Sequence, residues 1–186
     1  MLKDGDAVSA GHGLKKEILD AQAKAVGIPI RYGKASWSAY EDEFKRAVES
    51  LKEGGIEGGV FGDINLSEHR EWVERVCKEI GITAFLPLWN EEYNTLLNEF
   101  TRNGFEAVII SVRSDLIGEE WLGQPFNTRF IEYLQGRGLD LMGEQGEYHT
   151  LVTFGPLFKR RLTISTSEYK LENKKWVPKK LKFTIE

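Results

Sequence analysis

Residues 105–112 read F-E-A-V-I-I-S-V and form the strongest strand pattern in the chain. The run is almost continuously apolar, which is typical of a parallel strand buried on both of its faces. Upstream of it, short apolar runs at residues 58–62 and 82–86 alternate with amphipathic helical patterns. This alternation predicts an α/β domain in which helices cover both faces of a parallel sheet.

The helical patterns carry start signals and consistent apolar faces. Ser38 and Glu41, and likewise Asn65 and Glu68, have the spacing of a capping box at a helix N-terminus. Residues 28–32 read as a further short strand. The core-facing positions expected on the helices are Leu14, Ile18, Ala21, Ala25 and Val26; Phe44, Ala47, Val48 and Leu51; Val73, Val76, Cys77 and Ile80; and Tyr93, Leu96, Leu97 and Phe100.

Beyond residue 113 the pattern changes, and strands no longer alternate with helices. We therefore divide the chain into an α/β domain at residues 1–113 and a small α+β portion at residues 114–186. Pro178 lies inside the last predicted strand, which indicates a sheet edge or a bulge. The elements expected in this portion are a loop at 114–126, a helix at 127–135, a glycine-rich turn at 142–146, strands at 148–154 and 157–164, and a hairpin around 172–175.

Charge is distributed unevenly along the 186 residues, which carry 25 basic and 29 acidic side chains and a net charge of −4. Residues 157–186 hold 9 of the basic and 3 of the acidic groups, a net of +6, which leaves −10 for the remainder. A basic segment can contact nucleic acid or an acidic protein. Because its lysines lie among strand-forming residues, we favour a solvated hairpin whose lysines protect an edge strand, without nucleic-acid binding.

Some function classes are disfavoured by what the sequence lacks. Cys77 is the single cysteine and lies on a predicted apolar helix face, which favours packing over nucleophilic catalysis. The histidines, His12, His69 and His149, have no close ligand spacing, so we expect no metal held by protein ligands. No apolar run approaches the roughly 18 residues of a membrane span, and no signal-type segment begins the chain, so we expect a cytoplasmic protein. No Walker loop or G-x-G-x-x-G segment is present.

The first candidate site lies at the ends of two predicted strands. Gly62 and Asp63 follow one strand and precede a helix that carries His69 and Arg70. A carboxylate beside a helix N-terminus could orient a ribose, an amine or a phosphate, although Asp63 could equally serve as a helix cap. Trp89 follows the next strand, where it could stack on a base or pack in the core.

The second candidate site is the segment 143–150, G-E-Q-G-E-Y-H-T. Two glycines allow the backbone to turn tightly and to approach a ligand. Two carboxylates, an imidazole and a hydroxyl follow within a few residues, which a plain turn would rarely assemble. The residues concerned are Gly143, Glu144, Gly146, Glu147, Tyr148, His149 and Thr150.

Taken together, these segments resemble the diphthine–ammonia ligase family of ATP-binding proteins, in the PP-loop or adenine nucleotide alpha-hydrolase-like superfamily. The similarity extends from about Ser9 to Ile164, and its most specific part is the segment 143–150 followed by G-P-L-F. The other matching segments are Asp20-Ala21-Gln22-Ala23, Gly27-Ile28-Pro29, Gly62-Asp63-Ile64 with His69-Arg70, Cys77 with Gly81-Ile82, Pro87-Leu88-Trp89, Trp121-Leu122-Gly123 and Gly155-Pro156-Leu157-Phe158.

The resemblance implies a HUP-type, Rossmann-like parallel sheet with a smaller C-terminal domain. It also implies a ligase of diphthamide biosynthesis that uses ATP, with Mg²⁺, to adenylate the carboxylate of diphthine on elongation factor 2 for amidation by ammonium. The implied catalytic residues are Glu144, Glu147 and His149; the nucleotide-binding residues are Gly62, Asp63, His69, Arg70 and Trp89; and the substrate-binding residues are Gly143, Gly146, Tyr148, Thr150 and Trp121.

Two departures from the family pattern leave alternatives open. The family opens with a strand and an S-G-G-K-D-S loop that this sequence does not contain, which corresponds to roughly 45 residues of typical elements. We therefore expect slow turnover by this chain alone, or a non-catalytic nucleotide- or substrate-binding module. Asp63 and the pair His69-Arg70 resemble a sister branch for which cobalamin metabolism is one suggested role.

The missing strand is central in this superfamily, so its loss predicts an unpaired neighbour beside the strand at 58–62. Another element, a second chain or a rearrangement would have to fill the gap, and a homodimer is one solution.

Overall fold

The computed structural model describes residues 1–3, 8–9 and 12–186. These residues form two compact units, one from Met1–Ala7 and Arg31–Leu96 and the other from Val8–Ile30 and Leu97–Glu186. In chain order the elements are β1 (Leu2–Lys3), α1 (Lys16–Val26), β2 (Lys34–Ala35), α2 (Tyr40–Lys52), β3 (Gly58–Val60), α3 (Ser67–Glu79), β4 (Thr83–Phe85), α4 (Tyr93–Arg102), β5 (Glu106–Arg113), α5 (Thr128–Gly136), β6 (Tyr148–Phe154), β7 (Leu162–Glu172) and β8 (Lys175–Ile185). Within the same residues, no helix combines the length and the apolarity that crossing a membrane requires.

The first unit contains two short parallel strand pairs, β1 with β2 and β3 with β4. In the described part of the chain β3 pairs with β4 alone; that a missing central strand accounts for its open edge stays a prediction. Val60 and Phe85 are register partners in this pair, and their side chains are 76% and 54% exposed. A parallel pair is normally covered on both faces, so this exposure is unusual.

A charge network joins α2 to α3 in the first unit. The carboxylate of Glu41 accepts hydrogen bonds from Lys45 at 2.7 Å, from the Trp72 indole at 2.9 Å and from both terminal nitrogens of Arg75 at 2.6 and 2.9 Å. These hydrogen bonds hold the pKa of Glu41 well below its usual range, and the largest contribution comes from Arg75. The capping box predicted for Ser38 and Glu41 is wrong, because this carboxylate is bound to side chains rather than to the helix terminus.

The second unit is built on an antiparallel four-stranded sheet with the order β6-β5-β8-β7. The strand predicted at residues 105–112 is present as β5, but it runs antiparallel to both of its neighbours, so the predicted parallel direction is wrong. The apolar run reflects burial on both faces, and here helices bury both faces of an antiparallel strand, so the pattern usual for a parallel strand appears without parallel pairing. The whole is a mixed α/β structure of parallel strand pairs, helices and an antiparallel sheet.

The core of the second unit lies on both faces of this sheet. Ile109 and Ile110 are consecutive on β5 and point to opposite faces, and each is fully buried. Ile109 packs with Phe130 of α5, and Ile110 packs with Ile18 of α1. Helices therefore cover both faces, as expected, although the sheet that they cover is antiparallel.

The remaining sequence expectations were met in part. Strand 148–154 and the hairpin are confirmed, and Pro178 lies beside a register shift in the β7–β8 ladder, as a bulge requires. Residues 28–32 form no strand, and the strand expected at 157–164 is β7, which begins only at Leu162. Cys77 is buried, and burial raises the pKa of its thiol, as expected for a packing group. The predicted core-facing helix residues are all buried or half-buried.

A tight two-residue turn joins β7 to β8. Both of its residues have positive φ angles, 47° at Asn173 and 61° at Lys174, which is the geometry of a type I′ hairpin. Asparagine tolerates this region, but the second position normally carries glycine because a side chain there is strained. The Lys174 carbonyl accepts hydrogen bonds from the amide and the hydroxyl of Ser114, which hold the strained turn in place.

Replacing the strained residue should stabilise the second unit. We expect Lys174→Gly to raise the free energy of unfolding by about 0.5–1 kcal/mol, since relief of the left-handed conformation exceeds the entropy cost of glycine. Urea denaturation measures this change. Lys174→Ala is the control, because it removes the same side chain and keeps the strain. A Lys174→Gly variant no more stable than Lys174→Ala would contradict this interpretation.

The Glu41 network should make stability depend on pH. A carboxyl whose pKa is lowered on folding stabilises above its unfolded value near 4.5, and this contribution is lost as the pH falls. We expect Glu41→Gln to lower the melting temperature at about pH 7, and we expect its difference from the parent to shrink steadily as the pH falls below about 4.5, with part of it remaining at about pH 3. Glu71→Gln on α3 is the control, because Glu71 has no ion pair among the described residues. An equal effect at both pH values would argue against the network.

Candidate functional site

The first group of predicted residues gathers at one end of the β3–β4 pair. Gly62 and Asp63 follow β3, and Trp89 follows β4, so parallel strand ends bring them to the same edge. The Asp63 carboxylate lies 3.1 Å from the Nδ1 atom of His69 on α3. The Asn90 amide donates to the Ile64 carbonyl at 2.8 Å and ties the two loops together.

Asp63 does not cap the start of α3. No described side chain caps its first turn, so the capping box predicted for Asn65 and Glu68 is wrong. The Asn65 amide instead donates to the hydroxyl of Tyr93, and Asp63 is bound to His69. The first-turn amides of a helix that lacks a side-chain cap are suited to an anion.

Arg70 and Trp89 form the second contact of this group. The Arg70 guanidinium lies 5.0 Å from the centre of the Trp89 ring and donates to Glu74 at 2.6 Å. A methyl group added to Gly62 would meet no atom within 4 Å, so there is open space beside this residue. The arrangement offers an aromatic face, a cation and a carboxylate around an open loop.

Tyr40 also lies beside this group, although no sequence pattern predicted it. It begins α2, and burial followed by the charge of Asp63 raises the pKa of its phenol. A single tyrosine more than twenty residues upstream of Asp63 carries no motif, so only the packing of α2 identifies it.

The second predicted site lies before and within β6. Gly143 and Gly146 have φ angles of 67° and 77°, which other residues rarely adopt, so the turn depends on glycine. Glu147 is 5% exposed, and its backbone carbonyl accepts from the Arg113 amide at 2.8 Å. Among the described residues its Oε2 atom has no hydrogen-bond partner. A buried carboxylate oxygen without a protein partner is costly unless a water, an ion or a ligand contacts it.

Two imidazoles lie together beside this carboxylate segment. His149 pairs with Ser111 across the sheet, and its ring centre is 5.0 Å from that of His12. Burial, followed by the charges of His12 and Lys175, lowers the pKa of His149 to about 4. Burial also lowers the pKa of His12. Both rings are therefore neutral at neutral pH.

Other predicted residues of this segment occupy different environments. The Tyr148 ring packs on Phe126 and Phe130 in the core, and its hydroxyl donates to the Leu141 carbonyl at 2.6 Å. Burial raises the pKa of this hydroxyl. Trp121 is also buried in this core. Glu144 and Thr150 are half-buried, and Thr150 pairs with Ile109.

Lys175 is a further residue that the sequence motif does not include. A methyl group added to Gly146 would lie 3.2 Å from the Nζ atom of Lys175, so the ammonium group lies directly over the motif turn. The two residues are far apart in sequence, and no spacing rule connects them. Across the described residues, no group of three or more His, Cys, Asp or Glu side chains is placed to hold a metal ion.

Comparison with known families matches the chain in two consecutive parts. The diphthamide synthase N-terminal domain family matches residues 1–84. The diphthamide synthase C-terminal domain family matches residues 92–185. The second match includes the segment 143–150 and the β7–β8 hairpin.

Individual relatives agree with these matches. The chain is 31% identical to human diphthine–ammonia ligase over 170 residues, which cover 81% of this chain and 63% of the relative. It is 30% identical to the Bos taurus diphthine–ammonia ligase over 153 residues, 79% of this chain and 57% of the relative. The chain thus spans about three fifths of the length of these relatives. The two domain matches together show that the chain belongs to the diphthamide synthase family.

Proposed function

We propose that this chain serves an ATP-dependent ligase that forms an amide from a carboxylate and ammonia. The observation that carries the proposal is the buried Oε2 atom of Glu147, which has no partner among the described residues and lies in the segment most specific to the family. The names of the relatives support the same reaction, since they are diphthine–ammonia ligases. On this basis the carboxylate substrate is diphthine, carried on elongation factor 2.

The nucleotide side of this reaction is assigned to the first unit. Trp89 offers a ring for the base, and Asp63 with His69 lies beside the first turn of α3, where amides suit a phosphate. Gly62 leaves room for the ligand, and Arg70 adds a positive charge over Trp89. ATP would supply the adenylyl group that activates the carboxylate, with Mg²⁺ accompanying its phosphates.

The ammonia side is assigned to the segment before β6. Glu147 would hold an ammonium ion through its unpartnered oxygen and accept the proton that the nitrogen loses. His149 is neutral and can hydrogen-bond without repelling a cation. Gly143 and Gly146 shape the turn, and Glu144 and Thr150 are further contacts at its rim. Tyr148 and Trp121 would act by packing behind the turn.

The roles of the two parts of the chain and the completion of the β3 sheet are also part of this proposal. The first unit would supply a HUP-type nucleotide fold; α1 and β5, which lie within the 1–113 division drawn from the sequence, belong to the second unit and would supply the substrate side together with residues 114–186. The open edge of β3, with Val60 and Phe85 exposed, supports completion of its sheet by another strand, and a second copy is one source. The expected cytoplasmic location stays a prediction.

Nucleotide binding is tested by calorimetric titration with AMP and ATP. We expect Trp89→Ala to weaken AMP binding about tenfold, because stacking of a base on an aromatic ring contributes about 1–3 kcal/mol. Ile56→Ala is the control, since Ile56 belongs to the same unit, is 43% exposed and precedes β3, at the opposite end of the strand pair from Trp89. Equal AMP affinity in both variants would remove Trp89 from the site.

The same titration separates an enzyme from a binding module. AMP binding together with pyrophosphate release from ATP supports the ligase. AMP binding without pyrophosphate release supports the alternative, a nucleotide- or substrate-binding module of the same fold. Absence of nucleotide binding contradicts both the ligase and the nucleotide-binding form of the module.

Ammonium binding is tested by thermal denaturation. Ammonium chloride should stabilise the chain more than tetramethylammonium chloride at equal concentration, because a ligand that binds only the folded state raises the melting temperature. We expect Glu147→Gln to abolish this difference between the salts. Glu132→Gln, on the exposed side of α5, should retain it. A difference that persists in Glu147→Gln would place ammonium elsewhere.

A further inference from the structure

The tip of the β7–β8 hairpin is fixed against the end of β5. Ser114 donates to the Lys174 carbonyl from its amide at 2.9 Å and from its hydroxyl at 3.1 Å. The Ser111 hydroxyl donates to the Trp176 carbonyl at 2.6 Å, and Arg113 pairs with Lys175. The strained φ angle of Lys174 persists because these bonds hold it. Lys175 therefore has a defined position rather than a place on a free tip.

From this position the Lys175 side chain reaches the motif turn. The strand order β6-β5-β8 places Lys175 two strands away from the start of β6, a distance of about 10 Å. Its Nζ atom nevertheless lies 3.2 Å from where a Gly146 side chain would begin. The lysine thus extends across the end of β5, and the absence of a side chain at Gly146 makes room for it.

No described residue pairs with the ammonium group of Lys175. In the part of the chain that the structure describes, Lys175 forms neither an ion pair nor a side-chain hydrogen bond. Two other hairpin lysines do form ion pairs, Lys170 with Glu172 at 2.6 Å and Lys179 with Glu168 at 3.8 Å. Lys175 is also half-buried, so a bound anion would compensate an incompletely solvated charge.

Two opposite charges therefore flank the same turn, and neither forms an ion pair among the described residues, although Arg113 is near enough for its charge to interact with that of Glu147. Glu147 follows Gly146 and is buried, Lys175 lies over Gly146, and the two do not form an ion pair with each other. His149 lies close enough to Lys175 for the lysine charge to contribute to lowering the pKa of the imidazole. A negative site and a positive site side by side suit two ligands of opposite charge better than one.

We propose that Lys175 binds the carboxylate that the site amidates, while Glu147 binds the ammonium ion. This assignment rests on the proposed function and adds to it a residue outside the family motif. Each charge attracts one co-substrate and repels the other, so the pair orients both reactants before the carboxylate is activated. A lysine is suited to this role because it attracts an oxyanion as a compact point charge.

The test uses acetate as a carboxylate probe and needs no nucleotide. Acetate is titrated into the chain while nuclear magnetic resonance follows the ring signals of His149 and the side-chain signals of the lysines. We expect saturable shifts at His149 and Lys175. In Lys175→Met the affinity for acetate should fall about tenfold or more, as for loss of a hydrogen bond to a charged group. Lys175→Arg keeps the charge and should retain most of the affinity.

Lys180→Met is the matched control, because it removes an exposed lysine from the same strand. It should bind acetate like the parent. Unchanged acetate affinity in Lys175→Met, or equal losses in both methionine variants, would overturn the proposal. Inorganic phosphate provides the second arm, and phosphate binding tenfold tighter than acetate would overturn the carboxylate assignment. Because ATP is absent throughout, failure here is distinct from failure of nucleotide binding in the first unit.

Discussion

Burial of β5 on both faces is the constraint on which the second unit depends. Ile109 and Ile110 are fully buried on opposite sides, against α5 and α1, so the strand cannot shift by one residue without reversing both contacts. Its register in turn places Arg113 at the strand end, where the Arg113 amide binds the Glu147 carbonyl and its backbone pairs with Lys175. The position of the acidic and the basic side chain therefore follows from the packing of an apolar strand.

The extent to which the fold could be predicted reflects what local sequence encodes. The strand at 148–154 and the apolar helix faces were confirmed, because both follow from the spacing of apolar residues over a short stretch of sequence. The direction of β5 could not be predicted, since its partners β6 and β8 lie far along the chain. Both predicted capping boxes are absent for the same reason. Glu41 and Asn65 form hydrogen bonds with side chains of other helices instead of with the backbone amides of a helix N-terminus.

The same distinction applies to the candidate site. Asp63 and Trp89 could be anticipated because each follows the end of a predicted strand, and His69 because it lies on the helix that Asp63 precedes; the structure gathers these residues at one edge. Tyr40, His12 and Lys175 could not, because they reach the two groups from other elements. The motif thus identifies the turn, and tertiary packing supplies the charges around it. The basic hairpin, interpreted from sequence as solvated, contributes its tip to the motif turn.

The central claim is that the two charges serve amide formation, and isotope transfer tests it most directly. Elongation factor 2 that carries diphthine would be incubated with ATP, isotopically labelled ammonium and an excess of this protein, and the factor analysed by mass spectrometry. The account predicts that labelled nitrogen enters the diphthine carboxylate as an amide, in step with AMP release. AMP release without incorporation of the label, while ammonium is bound, would contradict it.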